Sequence, residues 1–291
     1  MAPMLENGQC RSFNGDGKPD ILVRNFETGE LLVYPHSGRF DGLGTYGEPV
    51  KIADDFGWQR YYILRAIDVD GSGYADLMAV NIPQVNTGEH GVFVYRNKGA
   101  GLNGLDTLRT DRVRVSGKRE DRKWETMGIA DLTGNGSDDM FSREKDQGNV
   151  DAFLNRGAVV EHETYDKTAL PLVDVAPEDF PFAMADFAGT GCNDLLVRRA
   201  NGDLDLYVFP AEGAAKNSGT WYTIARGWDR FKIMTLADVD LDGRPDLLAL
   251  DQDGTLSAYV NSGKLNPDDP AELLNAPVTV ATGWTAYDVV S

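Results

Sequence analysis

The 291-residue chain carries 28 basic and 46 acidic side chains, a formal net charge of −18. That balance excludes a general nucleic-acid binder, which needs a basic face, and no run of about 18 apolar residues is present to span a membrane. Length alone would allow two domains, yet no Pro/Gly/Ser tract or charge block divides the chain, so residues 1–291 read as one domain.

Taken in order, the chain repeats one sentence five times. An acidic loop, S-F-N-G-D-G-K-P-D at residues 12–20, leads into an apolar strand at 21–23 and a polar turn. A second strand follows, with Leu31 and Val33 on one face, ending at the aromatic Tyr34. A further strand is expected at 50–52, and the chain then passes Trp58 into the strand before the next loop. The same order recurs from D-V-D-G-S-G-Y-A-D (68–76) through Tyr95, 112–115 and Trp124. It recurs again from D-L-T-G-N-G-S-D-D (131–139) through Phe153 and Phe182, and from D-F-A-G-T-G-C-N-D (186–194) through Tyr207, 222–224 and Trp228. The last copy runs from D-V-D-L-D-G-R-P-D (238–246) through Tyr259, 278–280 and Trp284. Strands with apolar residues on one face and an aromatic on the other are built to be covered on both sides.

Four strands per unit and five units predict an all-β fold, a five-bladed β-propeller of four-stranded blades. Residues 283–290 match the strand that precedes a loop, but no loop follows them. They are expected to complete the first blade as its inner strand, closing the ring and protecting two sheet edges.

Oxygen-bearing side chains at loop positions 1, 3, 5 and 9, a glycine at 6 and the carbonyl of residue 7 form a set suited to a hard cation. The fifth loop has Asp238, Asp240, Asp242 and Asp246 with the Arg244 carbonyl; the second has Asp68, Asp70, Ser72 and Asp76 with that of Tyr74. The first offers Ser12, Asn14, Asp16 and Asp20 with the Lys18 carbonyl, and the third Asp131, Thr133, Asn135 and Asp139 with that of Ser137. The fourth has Asp186, Thr190 and Asp194 but Ala188 at position 3. Ligand number and charge rank them fifth, second, then first and third, with the fourth last. Up to five Ca2+ ions are expected, which would bring −18 to −8.

These loops, and the stretch P-D-L-L-A-L-D-Q-D-G-T-L-S-A-Y-V-N-S-G at 245–263, resemble FG-GAP or VCBS-type repeats. Such repeats occur in integrin α-subunit propellers, in some lectins and in secreted bacterial proteins. The resemblance covers most of the chain and implies the propeller and its calcium; it leaves the ligand open. The N-terminus lacks a basic start followed by an apolar segment. The protein is therefore read as cytoplasmic or as an exported chain whose signal was removed before Met1, and the calcium demand favours export.

No catalytic signature is present. His36, His90 and His162 stand far apart, although His90 replaces the glycine found at its repeat position. Trp58, Trp124, Trp228 and Trp284 could stack on sugars, but their recurrence favours packing between blades; Trp221, outside that series, is the better candidate platform. The hairpin at 82–90 is long, and the link at 118–123, with Arg119 and Arg122, is basic. Arg24, Arg143, Arg198 and Arg199 are expected at that same face, opposite the acidic loops, where Arg198 is a candidate ligand contact. Cys10 and Cys192 fall in units that are not neighbours and are expected to be free thiols. The leading expectation is a calcium-stabilised module that binds carbohydrate without transforming it. The alternatives are a polysaccharide lyase or hydrolase, a biosynthetic enzyme using the axial funnel, or a protein-interaction module.

Overall fold

Strands that are apolar on both faces must lie between two neighbours, and the architecture supplies them. The computed structural model describes residues 11–54, 57–81, 91–116, 124–144, 146–210 and 214–291, without the side chains of Trp124 and Thr126. Cys10, His90, Arg119, Arg122 and the segments 82–90 and 118–123 lie outside the described residues.

Blade one holds β1 (Ile21–Asn25), β2 (Leu31–Tyr34) and β3 (Val50–Ala53). Blade two is β4 (Tyr61–Ile67), β5 (Asp76–Asn81), β6 (Val92–Asn97) and β7 (Leu108–Arg114). Blade three is β8 (Trp124–Ala130), β9 (Asp139–Glu144), β10 (Asn149–Phe153) and β11 (Leu170–Asp174). Blade four is β12 (Phe180–Ala185), β13 (Asp194–Arg198), β14 (Leu204–Val208) and β15 (Thr220–Ala225). Blade five is β16 (Phe231–Ala237), β17 (Asp246–Asp251), β18 (Leu256–Tyr259) and β19 (Val278–Ala281), and β20 (Tyr287–Val290) ends the chain.

Every sheet is a four-stranded antiparallel meander, and the first has the order β20-β1-β2-β3. The closure read from the sequence is present: Val23 pairs with Val290 and Arg24 with Val289. No helix of the described residues is long and apolar enough to cross a membrane.

Adjacent residues of one strand serve opposite seams. Leu77 and Ala79 pack toward blade one, whereas Met78 and Val80 pack toward blade three. Five apolar clusters result, one at each seam, and the cluster joining Ile21 and Val23 to Leu248 and Leu250 closes blade five onto blade one. Each fully buried Val, Leu, Ile, Phe or Met contributes about 2 kcal/mol, so a seam with several such residues outweighs any single polar tie. The polar ties fix how the blades register.

The Gly-Trp turns feed the same seams. Trp228 sits 4.8 Å from Phe231 and 4.9 Å from Tyr259 (ring centroids), and Trp284 sits 4.7 Å from Tyr34 and 5.3 Å from Tyr287. Trp58 repeats the arrangement against Tyr61 and Tyr95. These rings are seam packing.

Candidate metal-binding loops

In blades two to five the acidic loop links the inner strand to the second strand, and in blade one it leads directly into the second strand β1, so all five lie at one end of the ring. In the last four blades the position-1 carboxylate grips the turn with both oxygens. Asp68 Oδ1 accepts the Ser72 N–H at 2.9 Å and Oδ2 the Gly73 N–H at 2.7 Å. Asp131, Asp186 and Asp238 do the same to the residues at positions 5 and 6. In blade one the Ser12 hydroxyl takes over, accepting the Asp16 N–H at 3.0 Å.

The position-9 aspartate is the buried anchor. Asp20, Asp76, Asp139, Asp194 and Asp246 are all within 1 % of full burial. Asp246 accepts the Val239 N–H through Oδ2 at 2.9 Å and the Asn261 N–H through Oδ1 at 2.8 Å, tying the loop to the end of the third strand. Asp20 and Asp139 repeat both ties. Burial is the main cause that raises these carboxyls, Asp20 and Asp139 to about 6, Asp194 and Asp246 to about 7 and Asp76 to about 8, against backbone N–H donors that lower them.

Carboxylates converge in two of the loops. Ligand oxygens of Asp68, Asp70 and Asp76 lie within 4.8 Å of one another, and so do those of Asp238, Asp240 and Asp246. Asp76 Oδ2 is buried without a hydrogen-bond partner, an arrangement that costs about 1–3 kcal/mol unless something compensates it. A divalent cation held by Asp68, Asp70 and Asp76 would do so, and the donor set, all hard oxygen, suits calcium or magnesium. Asp242, expected as a ligand, pairs with the Arg244 guanidinium, and Asp16 pairs with Lys18 Nζ at 2.7 Å. In the first loop the oxygens of Ser12 and Asn14 close on each other at 2.9 Å; in the third, Thr133 Oγ1 lies 3.5 Å from Asp131 Oδ1. In the fourth, Ala188 at position 3 is buried and offers no side-chain oxygen, and Asp194 Oδ2 accepts its N–H at 2.7 Å.

The family description FG-GAP-like repeat matches residues 13–79 and 186–249, each stretch covering two of these loops and the strands after them. The chain is a five-bladed β-propeller, and these two stretches are FG-GAP-like repeats. No curated protein matches it. Within the propeller, the matched stretches include both loops in which three carboxylates meet.

The candidate ligand contacts are placed differently from expectation. Trp221 is half-buried on the outer strand β15; the Arg199 guanidinium covers it at 4.0 Å and Tyr207 lies 4.6 Å away, so it is no open platform. Arg198 is committed to the next blade, donating from Nη1 to the Phe231 carbonyl at 2.9 Å and lying over Phe180. Its repeat equivalents behave alike. Arg24 donates to the carbonyls of Trp58 and Tyr61, both at 2.6 Å, and Arg143 to those of Pro177 and Asp179. These arginines staple the end of one second strand to the start of the next inner strand. Cys192 is a free, half-buried thiol.

One polar series escaped the sequence reading. Asn97 Nδ2 donates to the Phe13 carbonyl of the preceding loop at 3.1 Å, Asn155 to that of Val69 at 3.3 Å and Asn261 to that of Phe187 at 2.8 Å. Each stands two residues past the third-strand aromatic, a spacing visible in the sequence. Phe209 occupies that place in blade four, and there Asn193 supplies the link, to the Asp131 carbonyl at 2.7 Å.

Proposed function

We propose that this propeller is a calcium-stabilised binding module whose ligand is a carbohydrate, bound without being transformed. The observation that supports the calcium reading is the meeting of three carboxylates in blades two and five, where Asp76 is buried beside Asp68 and Asp70 and Asp246 beside Asp238 and Asp240. Three like-charged groups brought so close repel one another, and a divalent ion converts that repulsion into attraction. Calcium then braces the turn between the inner two strands. Sites of modest charge suit the high calcium of an extracellular setting, which supports export.

The carbohydrate reading is supported by an exposed ring at the end of the propeller opposite the loops. Phe26, 61 % exposed, sits on the turn after β1, whereas Phe180, at the start of inner strand β12, lies under the Arg198 guanidinium and is no such platform. Aromatic faces open to water are what sugar rings stack upon.

Calorimetric titration of the chelated protein with calcium tests the first part. Binding led by blades two and five, lost stepwise in Asp70→Ala and Asp240→Ala, is expected; equal sites in all five blades, or none, would overturn it. A glycan array probed with the calcium-loaded protein tests the second part. Binding that weakens in Phe26→Ala is expected, and turnover of a polysaccharide would make the protein an enzyme instead.

A further inference from the structure

Four of the five blades place a small residue three positions before the loop, on the innermost strand: Gly128, Ala183, Thr235 and, on the strand that completes blade one, Ser291. Blade two has Arg65 there. Its only hydrogen bond among the described residues runs from Nη1 to the Leu64 carbonyl at 3.2 Å, and no described carboxylate forms an ion pair with it.

Arg11, immediately before the first loop, reaches the same place from the other side. Its Nη1 donates to Thr235 Oγ1 at 2.9 Å and to the Leu236 carbonyl at 2.7 Å on the inner strand of blade five, while its own carbonyl accepts the Asp20 N–H of blade one at 3.1 Å. Arg11 also interacts electrostatically with Asp138 of blade three and with Arg65 of blade two. Only the ring axis is near four different blades at once. Burial and then the Arg11 charge lower Arg65 to about 10, and burial lowers Arg11, with Asp138 and Tyr46 opposing. Both side chains remain half-buried, within reach of water.

Two guanidiniums that act on each other electrostatically therefore stand near the ring axis in a protein of net charge −18. Among the described residues, Asp138 is the carboxylate that opposes the lowering of Arg11. Its Oδ2 already accepts the Asp68 N–H at 3.2 Å, and it can offset one charge only. Among the described residues no carboxylate forms an ion pair with Arg65, which leaves its guanidinium open to an external anion, and guanidinium forks match the oxygens of carboxylate, sulfate or phosphate.

We propose that the axis, at the end bearing the acidic loops, is an oxyanion-binding site formed by Arg11 and Arg65, with Thr235 beside it. It takes a carboxylate or a tetrahedral oxyanion, free or as the charged group of a larger ligand. The site is independent of the calcium reading, since neither arginine side chain belongs to a metal-ligand set.

The test uses the full chain saturated with calcium and titrated with sodium sulfate or sodium acetate against sodium chloride at matched ionic strength. Calorimetry should show saturable binding of sulfate or of acetate, and the preferred one identifies the tetrahedral or the carboxylate source. Sulfate also stabilises proteins generally, so Arg65→Ala, which copies blade four, isolates the specific part. It should weaken binding about tenfold or more and hold its Tm in chloride, because a like-charge contact has gone. Equal binding by wild type and Arg65→Ala, or no saturable binding of either anion, overturns the proposal. Should that variant fold poorly, selenate soaked into wild-type crystals decides: an anomalous peak within hydrogen-bond distance of both guanidiniums supports the site, and a peak elsewhere or none refutes it.

Discussion

His36 hydrogen-bonds through Nε2 to the carbonyl of Val239 at 3.0 Å, across the seam where blade five meets blade one. The Gly38 N–H donates to Nδ1 at 3.0 Å, which leaves Nε2 as the protonated nitrogen. The ring thus does here what Asn97, Asn155 and Asn261 do at three other seams, and the His36 N–H is held by Asp20 just as the Asn261 N–H is held by Asp246.

Because the donor matters and the ring does not, His36→Asn should retain most of the stability. His36→Ala leaves a buried carbonyl unpaired and opens a void, and should lower the unfolding free energy by about 2–4 kcal/mol. Urea denaturation of the calcium-loaded protein measures both; an alanine variant as stable as wild type would refute the role.

Arg24 should resist substitution more strongly than a surface arginine. It is 4 % exposed, pairs with Asp288 through Nε at 2.9 Å and Nη2 at 2.5 Å, and holds two carbonyls of the next blade. Arg24→Ala is expected to cost about 3–5 kcal/mol. Lysine keeps the charge but not the fork, so Arg24→Lys should recover less than half of the loss. Chemical denaturation of the three proteins side by side gives the comparison.

Leu241 is the opposite case, a residue whose replacement should help. It adopts φ 63° at loop position 4, where the other loops have Gly15, Gly71, Gly134 and Gly189 in the same left-handed region. A branched side chain is strained there by about 1–2 kcal/mol, and glycine gives back part of that in unfolded-chain entropy. Leu241→Gly should therefore raise stability by about 0.5–1 kcal/mol, visible as a higher Tm with or without calcium.

The buried position-9 aspartates set a pH dependence whose direction calcium reverses. Burial lifts Asp20 and Asp139 to about 6, Asp194 and Asp246 to about 7 and Asp76 to about 8, all above the unfolded value near 3.8. The folded state then holds protons more tightly than the unfolded one, and this contribution to stability is lost as pH rises from about 4 to 8. In chelator the Tm should fall across that window. With saturating calcium the carboxylates bind the ion deprotonated, and the Tm should instead rise with pH. A chelated protein whose Tm is flat or rising between these values would contradict the assignment.

The blades were legible because their signal is local and repeated: loop, apolar strand, turn and aromatic-ended strand lie within one unit. The three-carboxylate meetings in blades two and five were legible for the same reason, since Asp68, Asp70 and Asp76 are close in sequence. Contacts between units were not. Nothing next to Arg198 announces that its partner is the carbonyl of Phe231, and nothing beside Trp221 announces that Arg199 covers it. Such side chains look like surface chemistry until the neighbouring blade is in place. Asn97, Asn155 and Asn261 were missed for the same reason, although their shared spacing from the aromatic was readable.

The pairing of β20 with β1 has a consequence for biosynthesis. Blade one lacks its innermost strand until residues 287–290 have left the ribosome, whereas blades two to five are each encoded in one continuous stretch. The nascent chain can assemble four sheets before β20 is made but must wait with an unfinished first sheet, and a product truncated before Tyr287 would carry an open β1 edge, ready to recruit strands from other molecules.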